Sequence, residues 1–139
     1  MFGVAENLEI VRHPDKVDAC VLRYFPPPNG KRENHERYED TAFIEVSAKS
    51  VAAIRDVLLA DSTYIWDRVT ICWPRYHTRM RFHRAGKVVA VDFCLDCSLV
   101  QVLRDGRFVG NGLFHKRFPG LLAELRQIFP NDNTLAKVK

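Results

Sequence analysis

An α+β fold is what the sequence predicts, with an antiparallel sheet of about five to seven strands built from hairpins and two main helices packed on it. Three observations carry this. Residues 76 to 84 alternate strictly, Thr78, Met80 and Phe82 to one side and His77, Arg79, Arg81 and His83 to the other, as in a half-buried strand. Ala85-Gly86 turns the chain back into the Val-rich run Lys87 to Phe93. Asp105-Gly106, a type I′ signal, closes a second hairpin between Leu99–Arg104 and Arg107–Asn111. Finally, two stretches place apolar residues at helical spacing: Val51, Ile54, Val57 and Leu58, then Phe118, Leu121, Leu122, Leu125, Ile128 and Phe129.

Taken in order, residues 1 to 16 read as an irregular arm or a short edge strand around Leu8 and Ile10. Val17 to Phe25 is a strand, ended by Pro26-Pro27-Pro28, since proline donates nothing to a ladder. Residues 31 to 40 are almost all polar and are expected to form an exposed loop. Thr41 to Val46 resumes as a strand. Ser47 can cap the first main helix, which ends near Ala60. Tyr64, Ile65 and Trp66 are expected in the core, and Arg68 to Trp73 as a strand stopped at Pro74. In the first hairpin, pairing Arg84 with Lys87 fixes the register. Phe82 then meets Val89, Met80 meets Val91 and Thr78 meets Phe93, while Arg79 falls opposite Asp92 and His77 opposite Cys94. Pro119 sits in the first turn of the second main helix and Pro130 stops it. Residues 131 to 139 are expected to fray. No repeat or linker divides the chain, so residues 1–139 are expected to form a single domain.

Composition excludes several classes. The 47% hydrophobic and 27% charged content is that of an ordinary globular protein, and the net charge of +4 is mildly basic. Such a charge favours an acidic partner without implying nucleic acid. The N-terminus shows no signal-peptide pattern, and no apolar stretch nears the ~20 residues of a membrane helix. A cytoplasmic address with no membrane association is the expectation, one in which Cys20, Cys72, Cys94 and Cys97 stay reduced.

Two groups of residues could carry function. Cys94-Leu95-Asp96-Cys97 is a Cys-x-x-Cys, and Cys72 and His77 could complete a zinc site with Cys94 and Cys97. A second Cys-x-x-Cys is absent, so reduced structural cysteines are the leading reading and zinc the rival. A redox pair or disulfide comes third, because the motif lies between strands, away from a helix N-terminus, and Asp96 disfavours a thiolate. The second group is the basic strand face of His77, Arg79, Arg81 and His83, with Arg37 in the polar loop as a further contact. It reads as a solvated face or a docking surface for an acidic protein. Aromatic residues are not interleaved with these cations, which argues against nucleic acid. Nucleophile elbow, P-loop, dinucleotide and zinc-protease motifs are all missing, and His115 beside Lys116 and Arg117 has no assignable partner. The expectation is a protein that is not an enzyme.

Cys72, the Phe93-Cys94-x-x-Cys97 bend, the Asp105-Gly106 hairpin and the Ile128-Phe129-Pro130 helix end resemble a loose group of small uncharacterised bacterial proteins, over about residues 41 to 130. The chain also resembles, more distantly, the immunity proteins encoded beside secreted bacterial toxins. That resemblance implies a single α+β domain which neutralises a toxin by covering its active site, with no catalytic residue to carry over. The expected function is therefore a non-enzymatic protein-binding module, an immunity-type inhibitor of a toxin or effector domain. The alternative is a zinc-binding or nucleic-acid-associated module built on the Cys-x-x-Cys.

Overall fold

A computed structural model describes residues 1–26, 37–65, 72–114 and 118–138, with the backbone alone described for Arg37 and Phe118. Its sheet contains the strands β1 (Lys16–Phe25), β2 (Arg37–Asp40), β3 (Ile44–Glu45), β4 (Thr78–Arg84), β5 (Lys87–Cys94), β6 (Leu99–Arg104) and β7 (Arg107–Leu113). They pair antiparallel in the order β2-β1-β4-β5-β6-β7, with β3 also on β1. Around the sheet lie the helices α1 (Ala5–Arg12), α2 (Ala48–Leu59), α3 (Phe118–Ile128) and α4 (Asn133–Lys137). The expected α+β class holds.

Both hairpins turn as the sequence requires. Ala85 and Gly86 have φ of 48° and 75°, and Asp105 and Gly106 have 49° and 78°. These are the paired positive φ values of I′ turns, whose twist matches that of the flanking strands. The β4–β5 register is the expected one, Phe82 on Val89, Met80 on Val91 and Arg79 on Asp92. Between β6 and β7 the register shifts, Val102 pairing with Gly110 and Leu103 with Phe108, which leaves Val109 as an extra residue.

Period 2 gives the sheet two different faces. Val17, Ala19, Met80, Phe82, Val89, Val91, Phe93, Val100 and Val102 join Ile10 and Val11 of α1, Ile54 and Leu58 of α2, Leu121 and Leu125 of α3 and Leu135 of α4 in one core. Ser47 caps α2 as expected, its Oγ accepting from the Ser50 amide at 3.2 Å.

Four expectations need correction. Residues 5–12 are helical, not an arm or edge strand, because docking on β4 and β5 buries Ile10 and Val11. Arg84 also donates from Nη1 to the Glu9 and His13 carbonyls at 3.3 and 3.1 Å, giving the His13 carbonyl at the end of α1 a donor beside that of Glu9, which already accepts from the His13 amide. Residues 37–40 of the expected loop are strand β2, held by pairing Leu22–Phe25 with Asp40–Arg37. The strand expected over Thr41–Val46 is reduced to β3. The tail does not fray throughout: Asp132 caps α4 through a bond from the Leu135 amide at 2.8 Å, and Leu135 is buried. Residues 31–36, Trp66, most of the strand expected over 68–73 (residues 68–71), and His115 with its basic neighbours lie outside the described residues; Cys72 and Trp73 are not in a strand.

Candidate functional site

On the sheet face opposite the helices, β4 presents Arg79, Arg81 and His83 together, as the alternation requires. Each meets a carboxylate. Arg79 donates from Nε and Nη2 to the two Asp92 oxygens at 2.7 and 2.9 Å, and from Nη1 to Asp40 at 2.9 Å. Asp92 is 1% exposed and also accepts from Gln101 Nε2 at 2.9 Å. Arg81 makes the same fork on Asp18, at 2.7 and 2.8 Å, and its guanidinium lies 3.4 Å from the Phe43 ring centroid. His83 Nε2 stands 3.2 Å, and Lys16 Nζ 3.8 Å, from the same Asp18 carboxylate.

The electrostatics follow from this packing. Burial alone would raise the Asp18 carboxyl, but Arg81 and His83 outweigh it and hold Asp18 below its usual value. The bond to Asp92 raises Arg79 and the bond to Asp18 raises Arg81, against a desolvation penalty in each case. Lys16, Arg79 and Arg81 thus face Asp18, Asp40 and Asp92, three charges of each sign. The surplus positive charge on which the docking role of Arg79, Arg81 and His83 rested is neutralised within the chain.

His77 departs from the expected face altogether. It precedes β4, is 9% exposed, and its Nδ1 accepts from the Leu95 amide at 3.2 Å. Nε2 therefore carries the proton, 3.4 Å from Asp96. Burial, partly opposed by Asp96 and Asp132, lowers the imidazole's pKa. The imidazole pins the bend after β5, and both ring nitrogens are occupied.

The candidate metal set is not assembled either. Cys72 and Cys97 are joined in a disulfide, with Cα atoms 6.0 Å apart, within bridging range. Two of the four expected ligands are thereby used, and the expectation of reduced cysteines fails for this pair. Cys20 and Cys94 are buried thiols, and desolvation pushes Cys20 up to about 12 and raises Cys94. Among the described residues no three His, Cys, Asp or Glu side chains are placed to hold a metal ion.

A different cluster forms where β1, β2 and the segment before β4 meet. Tyr24 and Tyr38 pack with ring centroids 5.7 Å apart, and Tyr38 and Tyr76 at 6.0 Å. The Arg75 guanidinium lies over Tyr24 at 5.1 Å. Tyr38 Oη donates to the Pro74 carbonyl at 3.4 Å and accepts from the Tyr76 amide at 3.3 Å. Phe25, next to Tyr24 in β1, is 48% exposed and pairs with Arg37 across the ladder, and Trp73, two residues before Arg75, is 44% exposed. A groove of about 710 Å³ runs beside it, lined by Tyr24, Phe25, Arg75 and Tyr76, with His77 and Asp132. Sequence reasoning missed this grouping, because its members come from three segments and only Tyr76 adjoins the basic strand. Asp18 was the more legible omission: a single acid inside the apolar run of residues 17–22 signals a buried partner.

In comparisons with models of protein families, with curated proteins and with solved structures, none matches the chain. Among the described residues no helix is long and apolar enough to cross a membrane.

Proposed function

We propose that the protein is a non-enzymatic protein-binding module, an immunity-type inhibitor that neutralises a bacterial toxin or effector domain in the cytoplasm, through the Tyr24–Tyr38–Tyr76–Arg75 surface. One observation carries the reading: tyrosine and arginine, residues that dominate interface energetics, are gathered on one surface and packed against one another within the chain. Aromatic side chains already held in place lose little further entropy on binding. The net charge of +4 speeds encounter with an acidic partner, while Arg79 and Arg81 act as internal cross-strand braces. Arg37 is retained as a contact through its place beside Phe25.

The test is affinity capture from the native host, reconstitution with the purified captured protein, and co-expression of the two. The reading expects a 1:1 complex that suppresses the partner's toxicity and weakens about 100-fold or more in Tyr24→Ala and Arg75→Ala. A partner without toxic activity, or one bound equally by both variants, defeats it. The cytoplasmic address pulls against the Cys72–Cys97 bridge, because cytosolic thiol pools keep most cysteines reduced. A bridge that opens and closes reconciles the two.

A further inference from the structure

We propose that the Cys72–Cys97 disulfide is a redox latch that orders residues 72–76 and with them the aromatic docking surface. The inference rests on the binding reading above for its consequence, though not for its chemistry. Cys72 lies in the stretch Cys72-Trp73-Pro74-Arg75-Tyr76, which has no regular secondary structure and supplies Arg75 and Tyr76 to the surface. Cys97 lies in the tight bend between β5 and β6, whose ends are fixed by the sheet, by Ser98 at φ 52° and by the Leu95 amide on His77. The bridge therefore ties a segment without ladder bonds to one of the firmly held corners of the fold.

The four cysteines divide by access. Cys72 is exposed and Cys97 half-buried, whereas Cys20 and Cys94 are 0% and 1% exposed. A thiolate from a cellular dithiol or glutathione-class reductant can attack Cys72 Sγ from solvent. A mixed disulfide forms at Cys72, Cys97 leaves as thiolate and takes up a proton, and a second reductant thiol then displaces Cys72. The chain gains two electrons and two protons and the reductant leaves as its own disulfide. The sheet is expected to keep its register, since neither Cys72 nor Cys97 belongs to the β4–β5 ladder. In a reducing cytoplasm the latch stands open; exchange with a small disulfide of the oxidised-glutathione class closes it, that disulfide leaving as two thiols with the chain's two electrons and two protons, and sets Arg75 and Tyr76 against Tyr24 and Tyr38.

The experiment uses the whole chain, untreated and after mild dithiol reduction, read by thiol mass-tagging, amide hydrogen exchange and affinity for the captured partner. Untreated protein purified in air is expected to take no tag. Reduced protein is expected to take two, on Cys72 and Cys97, while Cys20 and Cys94 stay protected. Exchange at Trp73, Arg75 and Tyr76 should quicken at least 10-fold on reduction, with β4 and β5 unchanged, and partner affinity should fall about 10-fold or more. Tags on Cys72 and Cys97 before reduction, four tags after it, or equal exchange at Trp73, Arg75 and Tyr76 in both states would overturn the latch. A latch seen by tagging and exchange but without effect on affinity would instead sink the docking assignment. Cys72→Ser with Cys97→Ser should reproduce the reduced state, and reversible reduction of the native chain gives the same readout should that variant not fold.

Discussion

Replacing Asp92 with Ala tests whether the arginines of β4 brace the sheet. The carboxylate is 1% exposed and takes two bonds from Arg79, at 2.7 and 2.9 Å, and one from Gln101 at 2.9 Å. Its loss leaves Arg79 with Asp40 and leaves the Gln101 amide short of an acceptor. Removing one partner of a buried ion pair costs about 3–5 kcal/mol, because the other charge remains uncompensated. The Arg79 side chain is 23% exposed and keeps Asp40, so solvent screening and the residual partner bring the expectation to about 3 kcal/mol. For a chain of this size that lowers the thermal midpoint by about 10 °C. A double-mutant cycle with Arg79→Ala, read by urea unfolding, isolates the pair. Two charge-assisted bonds predict a coupling of about 2 kcal/mol. A loss below about 1 kcal/mol with no coupling would show that Arg79 is not a brace, and would return it to the surface as a candidate contact.

Two further outcomes follow from local geometry. The folded chain holds the His77 imidazole neutral, since burial lowers its pKa and Nδ1 must accept from Leu95. The unfolded chain therefore binds more protons as pH falls below about 6.5, and the stability His77 contributes is full above that value and lost below it. His77→Asn keeps an acceptor for the Leu95 amide without titrating, so its unfolding free energy should fall less than the native protein's between about pH 7.5 and 5.5; equal slopes in urea melts would refute this. At the first turn, Ala85 carries φ 48° and Gly86 φ 75° with open space around its Cβ position. Ala85→Asn should stabilise by about 0.5 kcal/mol and Gly86→Ala should destabilise by about 1 kcal/mol through backbone strain alone, and thermal midpoints moving the other way would contradict the turn assignment.

Much of the fold was legible because its strongest determinants are local. Alternation over Thr78–Arg84, two I′ turns and the Ser47 cap fixed strands, register and helix start without tertiary information. What was not legible depends on distant contacts. The first helix lacks a side-chain cap, its preceding residue being Val4, and owes its place to docking on β4 and β5 and to Arg84 on its last carbonyls. Strand β2 is charged and short, and exists through pairing with β1. The charges of β4 were read correctly as sharing one face, but their neutralisation by Asp18, 63 residues from Arg81, and by Asp40, 39 residues from Arg79, needed the sheet order. The Cys72–Cys97 contact is of the same kind, because the two cysteines lie 25 residues apart and only the Cys94-x-x-Cys97 spacing is visible along the chain.

The central claim divides the arginines between two tasks, and affinity for the captured partner across four single alanine variants tests that division most directly. Tyr24→Ala and Arg75→Ala are predicted to weaken binding about 100-fold or more with little change in unfolding free energy, whereas Arg79→Ala and Arg81→Ala should lower stability and leave the affinity of the folded protein within about threefold. Loss of affinity confined to the Arg79 and Arg81 variants, with Tyr24→Ala and Arg75→Ala binding normally, would contradict the account.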